Sequence, residues 1–185
     1  DADVRQASVY GVGVMAAAVG QAFAPHVPGA LAALARVIQA PDARSDENLN
    51  ATENAISALG KLCESQRSAI PGAEQVVPQW LSCLPLREDT VEARVVHAQL
   101  VRMLEAGDPH LLGANNEHLG KVVKVFAVAM PTAALSEKLQ LCTVETREKM
   151  KSILAQMQSA MGDALGAAFA SLAPEEQAAL QQAMA

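Results

Sequence analysis

Residues 46–63 read DENLNATENAISALGKLC, and this stretch decides the fold class of the chain. Leu49, Ile56 and Cys63 recur at helical spacing, which predicts an amphipathic helix with one apolar stripe. Pro41 and the polar residues after it separate this helix from the preceding segment, because proline cannot continue a helix. The stretch therefore predicts one long helix of an all-α protein.

Similar segments occur on both sides of this one. Long helices are predicted to open near Ala2, Asp46 and Asp89, at spacings of 44 and 43 residues. A period of roughly 40 to 47 residues with two helices per unit is typical of HEAT repeats, which stack to bury their apolar faces. We therefore predict an all-α fold, a right-handed α-solenoid of about three helix pairs plus terminal helices. The second, shorter helices are predicted to open near Pro25, Glu74 and Asn116.

The repeat also predicts a domain organisation. The chain opens on Asp1 in mid-pattern, so we expect a piece of a longer solenoid. The remainder after Met130 departs from the period, as terminal capping helices do. We expect three HEAT repeats within residues 1–130, at about 1–41, 42–87 and 88–131, and capping helices in residues 132–185.

Composition excludes several classes of protein. Apolar residues make up 51% of the chain but aromatic residues only 3%, which favours helices that pack closely through small side chains. The net charge of −6 argues against non-specific nucleic-acid binding and permits basic protein partners. The three cysteines form no C-x-x-C pair, so neither a disulfide framework nor a zinc site is indicated. We predict no membrane span.

No catalytic motif is present in the sequence. There is no glycine-rich phosphate loop, no G-x-S-x-G elbow and no H-E-x-x-H pair. The four histidines are scattered, and His97 lies beside Val96 and Leu100 near a predicted buried face. We therefore predict a binding protein with no catalytic residue, no metal ligand and no cofactor.

Several residues are predicted to have structural roles. Trp80 shares a helical face with Val77 and Leu81, which favours a place in the core, with partner contact as the alternative. Gly11 and Gly13 lie inside the first helix, where glycine costs about 1 kcal/mol relative to alanine, so we expect a neighbouring helix to approach closely there. The apolar stripe of that helix is predicted at Val4, Ala7, Gly11, Met15 and Val19.

Polar residues on the predicted helices are candidates for partner binding. Asn50 and Asn54 lie on a polar stripe, where they would either bond the backbone of a bound peptide or tie one repeat to the next. Lys121 and Lys124 also fit a plain solvated face. The second helices offer Arg36, Gln75, Gln79, Lys121 and Lys124 on their outward faces. The excess acid is expected on the long helices and loops, at Asp42, Asp46, Glu47, Glu53, Glu64 and Glu92.

Several of these segments resemble a known family. The run Asn50–Lys61 is similar to a late HEAT repeat of importin-beta superfamily karyopherins, in the importin-five (importin beta-3, Ran-binding protein five) branch. The resemblance covers about Asp3 to Met130 well and the rest loosely. It continues in Arg5–Ala7, Val9–Gly13, Pro41–Arg44, Val77–Pro78, Trp80–Leu81, Leu84–Leu86, Leu112–Gly113 and Asn115–Asn116.

The resemblance implies a function that composition and spacing do not. It implies the C-terminal part of a nuclear import receptor that binds cargo such as histones or ribosomal proteins and shuttles between cytoplasm and nucleus. Phe-Gly nucleoporins and Ran-GTP would bind the complete receptor, with Ran chiefly at N-terminal repeats. The alternative is a HEAT-repeat scaffold subunit of another protein complex.

Overall fold

The computed structural model describes residues 1–185 and contains α-helices and 3-10 turns without any β-strand. The long helices α1, α3 and α5, of 17, 17 and 16 residues, alternate with the shorter α2, α4 and α7, of 12, 10 and 11 residues. This alternation confirms the prediction of an all-α fold built from HEAT-type helix pairs. The helices are α1 Ala2–Ala18, α2 Val27–Ile38, α3 Leu49–Ser65, α4 Ala73–Ser82, α5 Thr90–Glu105, α6 Pro109–Leu112, α7 Leu119–Ala129, α8 Val144–Ala170 and α9 Pro174–Met184.

The chain divides into two compact units. The N-terminal unit comprises Asp1–Glu92, and the C-terminal unit comprises Ala93–Ala185. The limits of the three repeats within residues 1–130 stay a prediction. No helix combines the length and the apolar character that crossing a bilayer requires.

Helix α3 is the centre of the N-terminal unit. Helices α1, α2 and α4 all pack against it. Ala55, Ile56 and Leu62 have no exposed surface, and burial of such side chains is the main source of folding free energy. Trp80 of α4 is also fully buried.

The predicted apolar stripe of α1 is wrong. Val4 and Met15 are 64% and 52% exposed, whereas the face packed on α3 consists of Val9, Gly13 and Ala16. The periodicity failed because α1 carries small or apolar residues all around its circumference beyond its first two turns. More than one face therefore satisfies the helical spacing.

The two glycines of α1 also differ from each other. A Cβ atom at Gly13 would lie 2.9 Å from the Cα of Ala58 on α3, so this glycine permits the close approach of the two helices. A Cβ atom at Gly11 would meet nothing within 4 Å. The close approach expected at both positions therefore occurs at Gly13 and is absent at Gly11.

In the C-terminal unit, α7 packs against both α8 and α9. The Thr143 side chain caps α8 by accepting a hydrogen bond from the Thr146 N–H at 3.1 Å. Helix α8 is bent at Met161, whose φ and ψ of −148° and 44° are non-helical. Helix α9 begins at Pro174, which fits the first turn of a helix because its missing N–H has no partner to lose there.

Candidate protein-binding surfaces

A buried carboxylate on α3 fixes the chain that leads into α5. Glu53 is only 3% exposed, and its carboxylate accepts hydrogen bonds from the backbone N–H groups of Arg87, Glu88 and Asp89 at 2.9, 3.1 and 2.7 Å. N–H groups near a helix start lack partners within the helix, and a carboxylate satisfies them well. Glu53 therefore holds residues 87–89 against α3.

A second set of polar contacts continues along the same side of α3. Asn54 Nδ2 donates to Asp89 Oδ2 at 2.8 Å. The Ser57 hydroxyl donates to Glu92 Oε2, and Lys61 Nζ forms a salt bridge with the same oxygen at 3.0 Å. Because Glu53, Asn54, Ser57 and Glu92 are all buried, this network holds the N-terminal unit together from within.

An acidic groove lies beside this network. It has a volume of about 430 Å³, and Asp3, Gln6 and Tyr10 of α1 form one wall. Its other lining residues include Asn54, Asp89, Val91 and Glu92. Lys61 Nζ already lies over the Tyr10 ring, 5.3 Å from its centroid, so the carboxylates and amide groups are what the groove offers to a cationic side chain and its peptide backbone. The groove therefore suits a basic peptide better than an acidic one.

The residues predicted to bind partners have different surroundings in the structure. Asn54 is buried and bonded to Asp89, as the alternative of a tie between repeats requires, although it also lines the acidic groove. Lys124 is exposed and forms a salt bridge with Glu176 at 3.5 Å. The others lie on exposed parts of α2, α3, α4 and α7: Arg36, Asn50, Gln75, Gln79 and Lys121.

The sequence placed two acidic residues on the right helices but did not reveal that they are buried. Glu53 and Glu92 lie on the long helices α3 and α5, as expected, and they are 3% and 5% exposed. Their partners lie 31 to 36 residues away, so no local spacing reveals the pairing. A signal was present in the run itself, because Glu53 adjoins Asn54 on the helix side where Ser57 and Lys61 follow at helical spacing.

The buried titratable groups of the C-terminal unit lie apart from any cluster of ligands. His97 is fully buried, and its Nδ1 donates to the Leu141 carbonyl at 2.7 Å. Burial lowers the pKa of His97 to about 4, although the hydrogen bond to Leu141 opposes the shift. Burial likewise raises the pKa of the Cys142 thiol to about 11. No three His, Cys, Asp or Glu side chains converge in a way that could hold a metal ion.

Comparison with known proteins finds relatives that are named as importins. The chain is 26% identical to importin subunit beta-3 of Saccharomyces cerevisiae over 154 residues, which is 83% of the chain and 14% of that protein. It is 24% identical to a probable importin-5 homolog of Dictyostelium discoideum over 161 residues, 84% of the chain and 15% of that protein. It is 34% identical to a probable importin subunit beta-4 of Schizosaccharomyces pombe over 77 residues, 42% of the chain and 7% of that protein.

Two of these matches extend over most of the chain, and all three extend over a small part of the relative. The chain spans about one seventh of the length of the two relatives that match most of it. No family model matches the sequence. The three relatives share an importin name, and the all-α fold of long and short helices agrees with the HEAT repeats that the sequence predicted. Over most of its length, the chain is similar to proteins named as importins of the beta type.

Proposed function

We propose that the chain forms part of a nuclear import receptor that binds protein cargo and shuttles between cytoplasm and nucleus. The observation that carries this proposal is the similarity to importin subunit beta-3 across 83% of the chain. Binding of Ran-GTP and of Phe-Gly nucleoporins is proposed for the complete receptor. The chain acts by binding and carries out no catalysis.

The charge of the N-terminal unit supports a basic cargo. Asp3, Asp89 and Glu92 line the acidic groove, and no lysine or arginine lines it with them. A negative potential attracts cationic segments and speeds their encounter with the surface. Because Asp89 and Glu92 already accept hydrogen bonds within the unit, Asp3 is the carboxylate most available to a partner.

Further contacts are proposed on the exposed polar faces of the helices. Gln75 and Gln79 lie one turn apart on α4, and Lys121 and Lys124 lie one turn apart on α7. Glutamine side chains can bond a peptide backbone through both their donor and their acceptor atoms. We propose that Arg36, Asn50, Gln75, Gln79, Lys121 and Lys124 contact partners directly, and that Asn54 does so where it lines the acidic groove.

Titration calorimetry with a histone-tail peptide at low and at high salt tests the cargo proposal. We expect a micromolar Kd that weakens steeply with salt, because exposed charges are screened over about 8 Å at physiological ionic strength. Asp3→Asn should weaken binding roughly two- to fivefold, as loss of one exposed charge pair does. Asp163→Asn, an exposed position in the C-terminal unit, is the matched control and should leave the Kd unchanged.

Two outcomes contradict this proposal. Absence of binding at low salt would remove the cargo role from these 185 residues. Nanomolar binding that resists salt would show that a preformed pocket, and not the acidic groove, recognises the peptide. We also expect no submicromolar binding of Ran-GTP to the isolated chain, since the principal Ran site is expected in other repeats.

A further inference from the structure

A groove with an apolar wall lies between α1 and α2 in the N-terminal unit. Its volume of about 520 Å³ falls in the range of clefts that hold small ligands or several peptide side chains. The first two-thirds of α1 contributes Val9 and Val12, and the second half of α2 contributes Leu34 and Val37. Val9 and Leu34 are themselves buried, so the partly exposed Val12 and Val37 offer most of the surface on which an apolar side chain can pack.

Two arginines line the same groove. The Arg5 guanidinium donates a hydrogen bond to the side-chain oxygen of Asn48, and Arg36 is exposed with no hydrogen-bond or ion-pair partner for its guanidinium. Asp42 is the single carboxylate in the lining, and it already accepts a hydrogen bond from Asn48 Nδ2 at 3.0 Å. The groove therefore has an excess of positive charge in a chain whose net charge is −6.

We propose that this groove binds a peptide segment in which an acidic side chain adjoins an apolar one. The planar guanidinium of Arg36 presents paired donors that match a carboxylate, and the apolar wall accepts the neighbouring side chain. An inorganic anion would engage the arginines but leave the apolar wall exposed to water. The occupant is thus opposite in charge to the basic cargo proposed for the acidic groove, and its binding does not depend on that function.

Three capped hexapeptides provide the test with the folded 185-residue chain. The first alternates leucine with glutamate, the second leucine with glutamine, and the third leucine with lysine. Binding is followed by fluorescence polarisation and by NMR shifts of the valine and leucine methyl groups. We expect the glutamate peptide to bind and to shift Val9, Val12 and Val37, with the glutamine and lysine peptides at least tenfold weaker.

Charge reversal locates the site. Arg36→Glu should weaken the glutamate peptide roughly tenfold or more, the cost of losing a hydrogen bond between charged groups. Arg44→Glu is the matched control, because Arg44 is exposed on the neighbouring loop and does not line the groove, and it should leave the Kd unchanged. Circular dichroism melts verify that both variants fold.

Any one of the following results would overturn the proposal. Equal binding of the glutamate and glutamine peptides would mark the groove as merely apolar, and preference for the lysine peptide would reverse its charge selectivity. Competition by inorganic phosphate without any methyl shift would show an anion site alone. Absence of all binding at millimolar peptide would leave the groove without this ligand class.

Discussion

Helices α1 and α3 have the same length of 17 residues but very different surroundings. Eleven residues of α3 are buried and only three of α1. The difference arises because α3 packs on α1, α2 and α4 and also bonds residues 87–92, whereas α1 packs chiefly on α3. In a helical repeat, the number of neighbours decides how much of a helix is buried, more than the apolar content of its sequence does.

Residues at equivalent positions of the repeat show the same contrast in burial between α1 and α3. The residues 44 positions after Ala7, Gly11 and Val14 are Ala51, Ala55 and Ala58. The α3 set is buried, and Ala58 meets Gly13 of α1. Equivalent rows of residues are therefore buried in α3 and partly or largely exposed in α1. Neighbouring segments also determine where polar groups can be buried. Glu53 and Ser57 of α3 lie inside the unit because residues 87–92 supply their hydrogen-bond partners.

The largest effect should come from truncating the core side of α3. Ile56 has no exposed surface, so Ile56→Ala should lower the free energy of unfolding by about 3 kcal/mol, the usual cost of such a cavity. Met15→Ala on the exposed face of α1 should change it by less than about 0.5 kcal/mol. Urea unfolding of both variants measures the two values, and similar values would refute the contrast between the helices.

His97 on α5 is a buried polar side chain without a charged partner. The pKa of His97 is about 4 in the folded chain, against an ordinary value of 6.5. As the pH falls, the unfolded chain therefore binds a proton at His97 before the folded chain does. Stability should therefore fall as pH drops from 6.5 towards 4, by about 2–3 kcal/mol at pH 4.5. The difference in pH slope between the native sequence and His97→Gln isolates this contribution from that of the carboxylates. Identical slopes would contradict it.

Removing the buried carboxylate of α3 should have an effect of about 2 kcal/mol. Glu53→Ala leaves the N–H groups of Arg87, Glu88 and Asp89 without their acceptor, and loss of hydrogen bonds to a charged group costs about 1.5–3 kcal/mol. Glu47→Ala, on the exposed loop before α3, is the control and should be near neutral. Thermal melts that show no loss for Glu53→Ala would mean that water replaces the carboxylate.

The two glycines of α1 should respond in opposite directions. Gly13→Ala places a Cβ atom 2.9 Å from backbone on α3 and should cost about 1 kcal/mol, because overpacking outweighs the gain in helix propensity. Gly11→Ala meets open space and should stabilise by about 0.5–1 kcal/mol. Chemical denaturation of the pair gives the signs, and two changes of the same sign would contradict the packing described for α1.

The sequence predicted the helices better than their faces. Prolines and turn residues such as Pro41 and Gly72 mark the ends of helices locally, so the helix starts fall within about three residues of expectation. The buried face of α1 could not be predicted, because valine, alanine and glycine surround most of the helix. The polar network could not be predicted from the sequence. Asn54 and Asp89 are 35 residues apart, and their contact depends on how α3 packs against the segment before α5.

Native-state hydrogen exchange tests the contrast between α1 and α3 most directly, because it reports the free energy of opening at each backbone amide. We predict that the amides of α3 are the slowest to exchange in the N-terminal unit. Those of α1 should open with a free energy lower by at least about 1 kcal/mol, since only one face of that helix is packed. Equal protection along α1 and α3 would contradict the claim that neighbours on several sides, and not apolar sequence, determine how firmly each helix is held.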